Sequence, residues 1–403
     1  MRGRAFALVL VAVGSLGLAA CSDDGDSGDP ASTPTSTTAA PGSDRGPVDD
    51  DTSADEFVFP GAEWATDTPE EMGFDVAALE AVAQTADELD SACFVVTRKG
   101  RIVGEWYWDG ADATTSREVF SVTKSFASTL VGIAEADGAL DIEDSASEYI
   151  EEWAGTESEA VTIRNLLSND SGREWSFGLD YSEMPASPDP TQFGIDLGQQ
   201  YQPGEAWSYN NSAIQTLDRV VSEATGQVTA DFAADRLFEP LGMQHSKMTT
   251  TGADGTSTLM FMGISSTCRD LARFGYLFLR DGNWDGEQIV PEAWVDEATG
   301  APSQEHNAAY GFLWWLNREG QLLTPLQAVA PTDEASEPVI GQIAPGAPDD
   351  LFTAQGLGGQ MIMVDPGSET VAVRLGEGPP VGDEGAFRAL QISRVVTEAL
   401  VEP

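Results

Sequence analysis

Ser121 and Lys124 stand three residues apart at the head of an apolar run, Ser125 to Ala134, that reads as a buried helix stopping near Gly138. Positions i and i+3 share a helix face, so the lysine amine can reach the serine hydroxyl. A lysine in a helix that is apolar on most sides is costly unless it finds partners or loses its proton. Either outcome makes it a candidate base for the neighbouring serine. The helix start also favours negative charge developing on the serine oxygen. The chain has three lysines, Lys99, Lys124 and Lys247, and only Lys124 follows a serine at this spacing.

Other chemistries find little support. The two histidines, His245 and His306, follow no G-x-S-x-G nucleophile elbow, so a Ser-His-Asp triad has no base and no turn to carry it. No His/Cys/Asp cluster has metal-ligand spacing, and no glycine-rich loop joins a strand to a helix, so no cofactor and no metal is expected. The 67 acidic residues against 20 basic ones, a net charge of −47, argue against nucleic acid as a partner. That surface fits either adaptation to high salt or a GC-rich genome that favours solvated Asp and Glu.

The elements that must position Ser121 are legible at both ends. Phe94 to Thr97 and Ile102 to Tyr107 flank a polar turn at Arg98–Arg101, which predicts a hairpin. Gln360 to Val364 and Thr370 to Leu375 flank Asp365-Pro366-Gly367-Ser368 and predict a second. A helical pattern closes the chain over residues 386–401. Between the hairpins the character is mostly helical. The expected fold is therefore α+β: one antiparallel sheet built from both chain ends, with flanking helices and an inserted, mainly helical lobe.

Residues 1–20 combine Arg2 and Arg4 with an apolar, Gly/Ala-rich stretch too short for a committed span and read as a signal peptide. The sequence Leu18-Ala19-Ala20-Cys21 resembles a bacterial lipobox, with Cys21 as the lipidated residue. Residues 21–58 are Asp, Ser, Thr, Gly, Pro and Ala with almost no large apolar side chain, the composition of a disordered tether. The folded domain spans 59–403, about 345 residues and ample for a large core. These readings predict an extracytoplasmic protein, lipid-anchored to the bacterial cell membrane. Cys93 and Cys268 remain; outside the cytoplasm they could pair, but buried free thiols are the default reading.

S-x-x-K opening a buried helix is the first motif of serine β-lactamases and penicillin-binding proteins, and the chain resembles that family over roughly Thr68 to Arg374. Pro203-Gly204-Glu205-Ala206-Trp207-Ser208-Tyr209-Asn210-Asn211 resembles the P-G-x-x-aromatic-x-Y-S-N segment of class C β-lactamases and related esterases. The resemblance implies that Tyr209 exchanges protons with the nucleophile and that Asn211 orients substrate and Lys124. Ser208-Tyr209-Asn210 also fits the S-x-N of penicillin-binding proteins, and the preceding Pro-Gly turn favours the tyrosine register. The family's K-T-G or H-T-G corresponds to Ala354-Gln355-Gly356, which implies an oxyanion hole from the Ser121 and Leu357 amides. Val161 to Gly172, Phe238 to Met243, Asp270 to Gly275 and Tyr310 to Trp315 match the family in order and spacing.

Ala354 stands where the family's third-motif cation helps to bind a substrate carboxylate. The Ala-x-Gly-x-Gly-Gly-Gln form looks more like the branch of 6-aminohexanoate-dimer hydrolases and β-lactamase-fold esterases. The expected activity is a serine hydrolase forming a covalent acyl-enzyme with a small ester or amide, and either Lys124 or a Tyr209 phenolate could be the base. Alternatives are a β-lactamase or D-alanyl-D-alanine carboxypeptidase, or a non-catalytic cell-envelope protein that recognises penicillin. Retention of Ser121, Lys124 and Tyr209 together argues against the last. The stretches Asp180–Tyr201 and Gln321–Asp350 read as loops over the site.

Overall fold

The computed structural model describes residues 57–326, 328–329, 339–377 and 387–401. The signal segment 1–20, the lipidation residue Cys21 and the tether up to residue 56 lie outside the described residues. Phe57 and Val58 already belong with the folded domain: the Val58 amide donates to Lys99 O at 3.1 Å, and Arg280 covers the Phe57 ring.

Seven strands form the main sheet: β1 (Ala65–Thr66), β2 (Ser91–Arg98), β3 (Arg101–Tyr107), β4 (Trp315–Leu316), β5 (Phe352–Gly356), β6 (Gln360–Asp365) and β7 (Thr370–Gly376). Their spatial order is β1-β3-β2-β7-β6-β5-β4. All pairs are antiparallel except β1 with β3. Both expected hairpins form. The first turns through Lys99 and Gly100, both at positive φ, as a tight two-residue hairpin demands. The chain ends meet where β7 pairs with β2, with Val373 opposite Val95. The α+β architecture with a sheet made from both ends is thus the one observed.

Because helices cover both faces of this sheet, its central strands are apolar on both sides. Cys93 and Val95 enter one core, whereas Phe94 and Val96 enter the other. Helix α1 (Val76–Glu88) packs on the second face, started by Asp75, whose carboxylate accepts from the Ala78 amide. It buries Leu79, Val82, Ala83 and Ala86, one stripe at helical spacing. The C-terminal helix Ala389–Arg394 shares that core.

The first face carries helix α2 (Thr123–Ala136), helix α3 (Asn211–Gln215), helix α4 (Cys268–Leu279) and the rest of the helical lobe. Every residue of α2 from Thr123 to Ala134 is buried. Its apolar side chains contribute about 1.5–3 kcal/mol each for the larger ones, such as Phe126 and Leu130. Phe126 stacks on Phe274 of α4 at 3.6 Å between ring centres. Helix α4 lies close on the sheet because Gly275 lacks a side chain; a Cβ there would fall 2.6 Å from Val371 Cγ1.

Cys93 and Cys268 are joined in a disulfide across 175 residues of chain, tying β2 to the first residue of α4. This corrects the free-thiol default. Burial alone does not separate a thiol from a half-cystine, and the Cα–Cα separation of 6.3 Å depends on packing α4 against β2, which local sequence does not reveal. The two presumed loop stretches also hold structure. Residues 180–201 include the helix Pro190–Asp196, and Gly320–Leu322 pairs with Val339–Gly341 as a ribbon.

Candidate active site

Ser121 lies in a short 3-10 turn, Phe120–Val122, that runs directly into α2. Phe120 has φ 49°, a left-handed conformation unusual for a bulky residue and costing about 1–3 kcal/mol. The turn is held from outside: the Val119 amide donates to Ile264 O at 2.9 Å, and the Ile264 amide donates to Thr123 Oγ1 at 3.1 Å.

Lys124 is 1% exposed. Its Nζ donates to Ser121 Oγ at 2.9 Å and to Phe261 O at 2.9 Å. Burial drives the amine's pKa down to about 7, and the nearby Asp180 carboxylate opposes part of that fall. The other two lysines are not comparable, since Lys247 is exposed and Lys99 lies in the β2–β3 turn. Gln215 builds the carbonyl side of this site. Its Oε1 accepts from the Met260 amide at 2.9 Å and its Nε2 donates to Thr258 O at 2.7 Å, fixing the turn that presents Phe261 O.

Tyr209 is buried under Lys124, whose Nζ sits over its ring at 4.7 Å from the centre. Trp315 stacks on it and Tyr310 meets it edge-on, with ring centres 5.8 Å and 6.0 Å away. Burial pushes the phenol far above its ordinary value; hydrogen bonding with Ser121 pulls it down only partly, and Tyr181 and Asp180 raise it further. Asn210 is the asparagine of the alternative S-x-N register. Its side chain accepts from the Ala213 amide at 2.8 Å and donates to Arg173 O and Glu174 O, so it is committed to capping α3. Asn211, the first residue of α3, is buried with a side-chain oxygen that has no partner among the described residues.

The end of β5 closes the other side. A Cβ on Gly356 would fall 2.3 Å from Val119 O and 3.3 Å from Ser121 N, so only glycine lets this strand edge reach the serine amide. Leu357 follows at the start of a turn and is 46% exposed. Ala354 is fully buried, opposite Ile362 of β6. The Gln355 side-chain Nε2 donates to Thr353 Oγ1 at 2.8 Å and brings no charge. Neither histidine joins the site: His245 is exposed, and His306 bonds the Gly204 carbonyl.

Sequence reasoning thus brought Ser121, Lys124, Tyr209, Asn211 and Gly356 to one place. It missed the Phe261 carbonyl, which no side-chain pattern announces, and it missed Asp180. The arrangement sets beside the serine hydroxyl an amine that gives up its proton around pH 7, with the β5 edge against the Ser121 amide.

The beta-lactamase family profile matches residues 76–396, most of the chain and all of this site. The chain belongs to the beta-lactamase family. The 6-aminohexanoate-dimer hydrolase of Paenarthrobacter ureafaciens is 24% identical over 251 residues, 57% of this chain and 62% of that protein. A penicillin-binding protein homologue from Caulobacter crescentus has the same fold, with a TM-score of 0.57 at 15% identity over 79% of this chain and 96% of the other. A class C β-lactamase superposes with a TM-score of 0.54 at 17% identity, over 79% and 96%. This beta-lactamase family member therefore carries the hydrolase fold that the strand and motif order implied, and the family's members are hydrolases.

Proposed function

We propose that the chain is a serine hydrolase that cleaves small, neutral esters or amides through a covalent acyl-enzyme, with Ser121 as nucleophile. The observation that carries this reading is the buried Lys124 amine, 2.9 Å from Ser121 Oγ and with its pKa lowered to about 7. Lys124 in its neutral form takes the Ser121 proton as Oγ attacks the substrate carbonyl carbon. The resulting oxyanion is held by the Ser121 and Leu357 amides. Collapse of the tetrahedral adduct breaks the bond to the alcohol or amine, which leaves with the proton returned from Lys124. Water then attacks the acyl-enzyme, with Lys124 again accepting the proton, and Ser121 is regenerated.

Tyr209 acts as a neutral phenol. Its raised pKa argues against a phenolate base, while its interaction with Ser121 suits it to guide the proton between serine and leaving group. Asn211 offers its unpartnered side-chain oxygen for orienting substrate or Lys124.

Substrate neutrality rests on Ala354 and on the residues near Asn211. No cation occupies the third-motif position, and Phe177, 55% exposed, stacks on Tyr181, whose hydroxyl interacts with the Asn211 side chain. Similarity to a 6-aminohexanoate-dimer hydrolase supports an amide as substrate. Export with a lipid at Cys21 belongs to the same proposal; the Cys93–Cys268 disulfide supports it, because such bonds persist in oxidising compartments.

The test is hydrolysis of p-nitrophenyl acetate and butyrate, with nitrocefin in parallel, by the wild type, Ser121→Ala and Lys124→Ala. Ester turnover lost in both variants, with little nitrocefin cleavage, is the expected result. Rapid nitrocefin cleavage would make it a β-lactamase instead, and turnover surviving in Ser121→Ala would overturn the nucleophile.

A further inference from the structure

In the segment Ser176–Glu183 every side chain is exposed or partly exposed except one: Asp180, 1% exposed, is turned inward. Its carboxylate accepts three hydrogen bonds. Oδ2 accepts from the Asn211 amide at 2.7 Å, and Oδ1 accepts from both the amide and the hydroxyl of Ser212 at 2.8 Å. These donors lie 31 and 32 residues further along the chain, at the start of α3 and directly after Tyr209 and Asn210. Burial raises the Asp180 carboxyl above its ordinary value, and the Asn211 and Ser212 donors together with the Lys124 charge oppose that rise.

We propose that Asp180 is a positioning residue of the active site: it anchors the Tyr209–Asn211 segment against Lys124 and supplies the negative charge that steadies the buried Lys124 ammonium. The claim rests on the acyl-enzyme reading above and adds to it a group that touches neither substrate nor the reacting atoms. The Lys124 amine bonds the Ser121 hydroxyl and the Phe261 carbonyl, the Tyr209 and Phe261 rings lie beside it, and the Asp180 carboxylate acts on it through charge. Around Asp180 stand Lys124 from α2, the two α3 amides with the Ser212 hydroxyl, its chain neighbour Tyr181 and the phenol of Tyr209. Tyr181 and Tyr209 both have phenols pushed upward in pKa, so neither supplies a competing charge near neutrality.

The consequence has a definite sign. Removing the Asp180 charge removes a partner of the protonated amine, so Lys124 releases its proton at lower pH. A residue that served packing alone would change rates or stability and leave that proton where it was.

The experiment follows the second-order rate at which a fluorophosphonate labels Ser121, between pH 5 and 9, in the wild type, Asp180→Asn and Ser212→Ala. Labelling needs the nucleophile and the neutral amine but no knowledge of the substrate. The expected result is an acid limb with a midpoint near 7 in the wild type. In Asp180→Asn the midpoint moves down by about half a pH unit or more, with slower labelling throughout. Ser212→Ala, which removes one donor and keeps the charge, is expected to slow labelling and hold the wild-type midpoint; it also decides the positioning claim if Asp180→Asn does not fold. An unmoved midpoint in a folded Asp180→Asn, or Ser212→Ala labelled at the wild-type rate, would overturn the role given to Asp180. Failure of the wild type to label at Ser121 would instead overturn the underlying hydrolase reading.

Discussion

Lys124 meets Tyr209 through the ring: Nζ sits over the aromatic face, 4.7 Å from its centre, while the amine's hydrogen bonds go to Ser121 Oγ and Phe261 O. Burial acts on both groups and drives them apart in proton affinity, the amine down to about 7 and the phenol far up. Of the two, the amine is therefore the group that gives up its proton first as pH rises.

A pH profile of kcat/KM for p-nitrophenyl butyrate checks that assignment. The proposed role of Lys124 requires its neutral form, so the rate is expected to rise with pH through a midpoint near 7. In Tyr209→Phe the rate falls by about 10²-fold or more with the midpoint kept. Loss of the acid limb in that variant would assign it to the phenol.

Stability carries the opposite imprint of the same burial. The folded-state pKa of Lys124 lies below its unfolded value, so the folded state is penalised for keeping this amine charged. The penalty is full below about pH 7, shrinks as pH rises from there, and vanishes above the unfolded value. Lys124→Met is expected to abolish ester turnover and to raise unfolding stability at pH 6 by roughly 1–4 kcal/mol, with the gain fading toward pH 10. Denaturant unfolding at the two pH values measures it, and an equal effect at both would contradict the linkage.

Gly356→Ala tests the reach of β5. The added Cβ collides with Val119 O and crowds the Ser121 amide, so the strand edge must withdraw from the serine. Loss of an oxyanion donor costs on the order of 10²–10³ in kcat, and steady-state kinetics should show that fall chiefly in kcat. A change confined to KM would place the strand edge outside the oxyanion site.

The cross-link of Cys93 to Cys268 closes a long stretch of chain. Replacing both by alanine is expected to lower unfolding stability by roughly 2–4 kcal/mol. Thiol titration of the denatured, unreduced domain, begun after Cys21, should find no free thiol; two titratable thiols would contradict the bond.

What could be read from the chain follows from how local each signal is. Ser121 and Lys124 were legible because helical geometry ties residues three apart to one face, and because lysine is rare enough here for one in an apolar run to stand out. The sheet was legible because both hairpins carry their turn residues. Asp180 was not, since it is one acid among 67 and its partners are remote in sequence; only the folding of Leu179–Glu183 under α3 marks it as buried. The disulfide failed for the same reason, with its two halves brought together by α4 lying on β2. Phe261 acts through a backbone carbonyl, which any residue type could provide.

Intact-mass analysis after brief mixing with a p-nitrophenyl ester of a slowly hydrolysed acid, followed by peptide mapping, addresses the central claim most directly. The account predicts a single acyl adduct on Ser121, formed in step with a burst of p-nitrophenol and absent from Lys124→Met at neutral pH. A burst with the acyl group on another residue, or steady turnover in Ser121→Ala, would contradict it.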